Sequence, residues 1–291
     1  MKLYLVRHGQ SAGNLPGRMT GWSEHPLTAL GATQARRVAA RLAPLGPMAV
    51  YASDLPRALD TARIIAAAWV SAEPPIRSSI QSSSQPPVDA GAQPPIGADA
   101  ETPPPIGAGA ETPPPAGDPV TSDRRLREID LGDYEGRSWD EFGADRALAD
   151  AFAREPLLTT LPGGESLAMV RARVIAAFEE IVGSGQAIAC LVSHDGPIRT
   201  ILNHVLQVPP ERHWALSTSH GGLTLLEASA GWVSVRFVND TSHLLGLDTG
   251  GSDAADAASA TDTAGATDVA DAAGATDVAG SADGTDGAQE P

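Results

Sequence analysis

Apolar positions along this chain follow two periods, and the order in which those periods alternate predicts the architecture. Leu3 to Val6 is a short apolar run between Lys2 and Arg7, which suits a strand buried on both faces. Between Thr28 and Leu42 the apolar residues Ala35, Val38, Ala39 and Leu42 have the spacing of one helix face, with Thr28 as N-cap and Pro44 as stop. Met48 to Ala52 reads as the next strand. Pro56 to Trp69 reads as a helix opened by proline, with Ala58, Thr61, Ala62 and Ile65 on one side. Further on, Leu167, Val170, Val174, Ala177, Phe178 and Ile181 mark a helix over Ser166 to Val182, Ala187 to Val192 an apolar strand, and the residues up to about Val205 another helix. Leu223 to Glu227 and Val233 to Val238 read as a closing hairpin. Strands alternating with helices and ending in a hairpin predict a three-layer α/β/α sandwich, with a mostly parallel sheet and an antiparallel edge.

Two segments carry neither period. Residues 71–122 are dominated by Pro, Ala, Gly and Ser and contain a repeat, PPIGADAETP from Pro94 followed by PPIGAGAETP from Pro104. Such a composition buries too little apolar surface to offset its ordering entropy, so a disordered insertion is expected. Residues 248–291 are Ala, Asp, Gly, Thr and Ser with a weak nine-residue echo, and are read as an acidic disordered tail. The remaining body suits one domain over residues 1–247 with the insertion inside it. Charge supports the division: the chain carries −16, of which the ten acids of the tail account for −10 and the insertion for about −5. A body close to neutral argues against nucleic-acid binding. Cys190 is the single cysteine and lies in an apolar run, as a buried thiol would. The start of the chain has no signal-peptide pattern and no run of apolar residues is long enough to span a bilayer, so a cytoplasmic protein without membrane contact is expected.

Candidate chemistry collects at the strand ends. In open parallel sheets ligands sit outside the carboxyl ends of the strands. The first strand ends in Arg7-His8-Gly9-Gln10-Ser11 with Asn14 beyond, the second in Ser53-Asp54-Leu55-Pro56-Arg57, and the later one in Ser193-His194-Asp195-Gly196. Two histidines and two arginines would then share a cleft. A neutral imidazole can attack phosphorus while two guanidinium forks hold the phosphoryl oxygens, a chemistry that requires no metal and no cofactor. His25, His204, His213, His220 and His243 have no metal-ligand spacing and receive no site assignment.

These residues resemble the histidine phosphatase superfamily, also called phosphoglycerate-mutase-like, and its phosphatase branch in particular. The likeness runs from Lys2 to about Val238 and rests on four motifs in order: Arg7-His8-Gly9-Gln10-Ser11 with Asn14, the run from Ser53 to Ala62, Leu126-Arg127-Glu128 and its continuation to Gly136, and Ser193-His194-Asp195-Gly196. The resemblance implies that His8 is the nucleophile and becomes phosphohistidine, that Arg7, Arg57 and His194 form the phosphate pocket, and that Glu128 is the proton donor. It implies that Gln10, Ser11 and Asn14 line or brace that pocket. Glu135, seven residues after Glu128, fits the donor less well.

Plainer readings exist for each. Glu128 lies among Arg124, Arg125, Arg127 and Asp130, where a solvated charge run is the ordinary explanation. Trp22, in Arg18-Met19-Thr20-Gly21-Trp22-Ser23, serves equally well as a substrate-side or a packing aromatic. Ser138 to Glu155 reads as a helical lid whose residues name no substrate. The leading expectation is a phosphomonoesterase acting on a small phosphorylated metabolite. The alternatives are a cofactor-dependent phosphoglycerate mutase, and a non-catalytic scaffold that binds phosphorylated ligands through the pocket and another protein through the Pro-rich segment. A homodimer stays open.

Overall fold

The computed structural model describes residues 1–14, 18–70 and 118–247. In chain order the elements are β1 (Lys2–Arg7), α1 (Ala29–Leu42), β2 (Ala49–Ala52), α2 (Pro56–Val70), β3 (Val120–Ser122), α3 (Trp139–Ala144), α4 (Arg146–Arg154), α5 (Leu167–Gly183), β4 (Ile188–Ser193), α6 (Asp195–Val205), β5 (Leu223–Ser229) and β6 (Trp232–Asp240). The strands form one sheet in the order β3-β2-β4-β1-β5-β6. The first four of these are parallel, and β5 and β6 complete an antiparallel edge.

The layering follows from the two-residue period of the strands. In β1, Tyr4 and Val6 pack with Val38 and Leu42 of α1 and Ala62 and Ile65 of α2, while Leu3 and Leu5 pack with Val174 and Phe178 of α5 and Ile198 and Ile201 of α6. Strand β4 divides the same way, Cys190 and Val192 to one side and Ala189 and Leu191 to the other. Burial pushes the Cys190 thiol up to about 12, so it behaves as a small apolar side chain. The first helix cap matches the expectation from sequence, Thr28 accepting from the Gly31 N–H, and Ser166 caps α5 in the same way by accepting from the Met169 N–H.

One boundary is corrected. The Pro-rich tract was expected to be structureless through Ser122, but Val120–Ser122 pairs in parallel with β2 and forms the sheet edge. Val120 is buried against the α1/α2 layer, which gives this three-residue strand its apolar anchor. The rest of that tract, residues 71–117, and the acidic tail, 248–291, lie outside the described residues. No helix among the described residues is long and apolar enough to cross a membrane.

Strand register places the candidate chemistry. Arg7 of β1 pairs with Ser193 of β4, and Ala52 of β2 with Val192. The ladder continues one step further, His8 N–H to Ser193 O at 2.9 Å and Ser53 N–H to Val192 O at 3.0 Å. His8, Ser53 and His194 therefore leave the sheet side by side.

Candidate active site

His8 is 2 % exposed and Arg57 1 %, so the charged and titratable core of the site is withdrawn from solvent. The loop after β1 is held tightly against α1. A Cβ on Gly9 would lie 2.3 Å from Gly31 O, and one on Gly31 would lie 1.9 Å from Gln10 O, so both positions accept only glycine. The Gly9 N–H donates to Thr61 Oγ1 on α2 (3.1 Å). Within this frame His8 Nδ1 lies 2.7 Å from Gly9 O. A carbonyl only accepts, so Nδ1 carries the ring proton. Nε2 is then the bare nitrogen, 3.3 Å from the Nε–H of Arg57. Burial, then His194, Arg57, His220 and Arg7, hold the His8 pKa well below the ordinary histidine value, which keeps the ring neutral.

Arg57 enters from the first turn of α2. Its remaining guanidinium N–H groups donate to Ser23 O (2.9 Å) and Gly21 O (2.7 Å). Burial lowers its pKa to about 10, with Glu128 and Glu135 opposing, so the cation persists at neutral pH. Arg7 donates to Thr218 O and lies 3.1 Å from His220 Nε2. His194 stacks edge-on to His8 with ring centroids 4.9 Å apart, and its Nε2 contacts Ser53 Oγ at 2.8 Å. Its buried Nδ1 has no hydrogen-bond partner.

The acid segment is fastened from three directions. Arg173 of α5 forms an ion pair with Glu165 (2.7 Å) and donates to the carbonyls of Arg125 (2.8 Å), Arg127 (2.6 Å) and Glu128 (2.7 Å). Arg127 forms a two-pronged pair with Asp54 (2.7 Å each) and stacks over the Trp22 ring. Trp22 in turn donates from Nε1 to Glu128 O (2.8 Å). The half-buried Glu128 carboxylate accepts from Ile129 N–H (2.9 Å) and from Gly196 N–H (3.2 Å) at the start of α6. Burial and the neighbouring Asp195 push its carboxyl above the usual range, against the pull of those two N–H groups and Arg57.

A cavity of about 150 Å³ opens beside His8, with Arg7, Asn14, Arg57, Glu128 and Gly196 on its wall. Of the residues singled out from sequence, five reach it directly: Arg7, His8, Asn14, Arg57 and Glu128. His194 lies behind His8. Of the two roles left open for Gln10 and Ser11, lining the pocket is set aside, because neither is on the cavity wall. Gln10 Oε1 accepts from Thr28 Oγ1 (2.8 Å), and Ser11 donates from N and Oγ to Asn14 Oδ1 (3.0 and 2.7 Å), so they brace the loop. Their polar side chains are committed to the α1 cap and the following turn, which removes them from a ligand. Glu135 is a clamp: its carboxylate accepts from Gly21 N–H (3.1 Å), Trp22 N–H (2.6 Å) and Ser23 Oγ. Ser138 to Glu155 forms the expected helical stretch as α3 and α4, which send Trp139, Phe142 and Phe152 to the cavity wall.

Sequence reading missed two residues. His220, set aside there, has its ring 5.5 Å from His8 and partners Arg7. Its one local signal is a histidine followed by glycine, as in the first of the recognised histidine motifs. Arg173 belongs to no motif and stands beside the apolar stripe of α5. Among the described residues, no group of three His, Cys, Asp or Glu side chains is placed to hold a metal ion.

Comparison with known proteins bears on family and fold. The family model described as histidine phosphatase superfamily (branch 1) matches residues 3–78 and 110–241. A curated relative from Enterobacter sp. (strain 638), named probable phosphoglycerate mutase GpmB, is 29 % identical over 256 residues, covering 84 % of this chain and 95 % of the relative. Bacillus stearothermophilus YhfR superposes with a TM-score of 0.62 at 27 % identity, covering 84 % of this chain and 98 % of that one. The native mycobacterial glucosyl-3-phosphoglycerate phosphatase Rv2419c gives 0.60 at 25 % identity, covering 82 % and 99 %. The alpha-ribazole phosphatase from Shigella flexneri gives 0.61 at 21 % identity, covering 86 % and 100 %, a likeness of fold.

Proposed function

Because the chain belongs to branch 1 of the histidine phosphatase superfamily, we propose that it is a metal-independent phosphomonoesterase working through a phosphohistidine on His8. The observation that carries this reading is the tautomer of His8. With its proton spent on Gly9 O (2.7 Å), the ring aims a bare Nε2 at a cavity that also holds two guanidinium groups and a carboxyl of raised pKa.

The steps follow from those positions. A phosphomonoester enters with its phosphoryl oxygens on Arg7 and Arg57, taking over the Nε–H that Arg57 otherwise offers to His8. His194, which does not line the cavity, packs edge-on against the His8 ring at 4.9 Å and steadies the nucleophile. His8 Nε2 attacks phosphorus as the ester P–O bond breaks, and the guanidinium charges stabilise the oxygens throughout. Glu128, protonated at the outset, gives its proton to the leaving oxygen. As a carboxylate it then takes a proton from water, whose oxygen attacks the phosphohistidine and frees inorganic phosphate. Asn14 borders the same cavity and is oriented by Ser11.

The test is an intact-mass measurement after mixing enzyme and a phosphomonoester in EDTA and quenching in base. The expected result is a mass gain of one phosphoryl group in wild type, mapped to His8, with phosphate release; His8→Ala gives neither. Release by His8→Ala at the wild-type rate, or loss of release in EDTA with recovery on adding a divalent ion, overturns the reading. The name of the GpmB relatives favours a second reading, phosphoglycerate mutase. It predicts that 3-phosphoglycerate is isomerised without phosphate release.

A further inference from the structure

The cavity beside His8 has two unlike ends. At the reacting end lie the arginines, His8 and Glu128. The far end is built by the lid and the loops beneath it: Trp139, Phe142, Phe152, Leu161 and Trp214. Phe142 and Leu161 are 1 % exposed, so this wall is packed rather than a loose surface patch. The rings follow in succession, edge to face from Trp139 to Phe142 at 6.2 Å and from Phe142 to Phe152 at 5.9 Å, then tilted from Phe152 to Trp214 at 5.6 Å. Successive contacts of this kind hold each ring in one orientation.

The cations at that end are already engaged. Arg199 pairs with Asp195, donates to Leu216 O and stacks on Trp214 at 5.0 Å. Arg18 is exposed at the rim and donates to Gly136 O (2.6 Å). A carboxylate or a polyhydroxyl group on the substrate would exchange water for aromatic carbon there, at a cost that polar groups on the same wall offset only in part. Two buried donors on the same wall do want an acceptor. Trp214 Nε1 has no hydrogen-bond partner, and neither does His213 Nε2, whose ring accepts at Nδ1 from Asn203 Nδ2 (3.3 Å) and therefore carries its proton on Nε2.

Resting on the phosphatase reading above, we propose that the far end of the cavity selects phosphomonoesters with a compact apolar leaving group bearing at most two neutral hydrogen-bond acceptors, and rejects acidic or sugar leaving groups. The whole cavity, reacting end included, is about 150 Å³, the volume at which an apolar protein cavity takes one benzene ring, so the leaving group must be small. The class is thus a monocyclic aryl-alkyl or short alkyl phosphate.

The test is kcat/KM for a series of primary alkyl phosphates from ethyl to hexyl, with 2-phenylethyl phosphate and 3-phosphoglycerate. The alkyl leaving groups have nearly equal basicity, so the slope reports the chamber rather than the chemistry. Expected is a rise of about fourfold per added methylene, the equivalent of about 0.8 kcal/mol each. In Phe152→Ala, and separately in Trp139→Ala at the rim, the ratio of 2-phenylethyl to ethyl phosphate should fall by about tenfold. Because each ratio is taken within one preparation, partial misfolding cancels. A flat slope, an unchanged ratio in both variants, or preference for 3-phosphoglycerate overturns the proposal while phosphate release continues. Failure to release phosphate from any ester instead rejects the phosphatase reading, and the leaving-group proposal with it.

Discussion

Gly196→Ala adds one methyl group beside the proposed proton donor and leaves the phosphate-binding side chains unchanged. A Cβ at this position would lie 2.2 Å from Glu128 Oε1 and 3.2 Å from its Cδ, where ordinary contact begins near 3.4 Å. The carboxyl must retreat by roughly 1 Å and give up the Gly196 N–H bond of 3.2 Å, and a misplacement of that size costs about 10²-fold in rate. The backbone does not object: Gly196 sits in the first turn of α6 without a positive φ, and alanine is favoured over glycine in a helix by up to about 1 kcal/mol. The variant should therefore melt close to wild type yet turn over slowly. The leaving group distinguishes the cause. An alkyl phosphate needs the proton from Glu128 and should lose about 10²-fold in kcat, whereas p-nitrophenyl phosphate, whose leaving oxygen needs little protonation, should lose about tenfold or less. Steady-state kinetics on both esters, with a melting curve, checks the outcome. Equal losses on the two esters, or none, would refute the placement of Glu128 as donor.

Glu135→Ala should loosen the Gly21 to Ser23 loop whose carbonyls hold Arg57. With several hydrogen bonds to a carboxylate gone, each worth about 1.5–3 kcal/mol, urea unfolding should show a lower midpoint and kcat/KM should fall for every ester, while Glu135→Gln restores part of both. Stability should also depend on acid. Burial depresses the His213 pKa from 6.5 to about 3, so the unfolded chain binds the proton first. Its contribution is intact above about pH 6.5 and is lost as pH falls toward 3, about 2 kcal/mol being gone by pH 5. His8 and His194 shift in the same direction and steepen the loss. Melting curves at pH 7 and 5 should converge in His213→Gln relative to wild type; parallel shifts in the two proteins would contradict this account.

The sequence by itself determined the elements and where the chemistry gathers. Apolar period decides strand or helix locally, and a parallel sheet brings strand ends to one edge, so Arg7, His8, Arg57 and His194 could be grouped before any coordinates. Glu128 was legible through its motif. The cap at Thr28 was legible because capping is a contact within three residues.

What only the tertiary structure decided are contacts with no local signature. Gln10 and Ser11 carry the same motif whether they face the ligand or brace a turn, and the packing of the first loop on α1 decides for bracing. Val120–Ser122 is too short to stand out from a Pro-rich tract, and becomes a strand because β2 offers it an unpaired edge. His220 and Arg173 join the site across 213 residues to Arg7 and 45 to Glu128. The lid helices could be read from sequence, but not the fact that their aromatic faces meet Trp214 to make an apolar end to a charged cavity. Periodicity tells which face of an element is buried, whereas only the assembled fold tells what it is buried against.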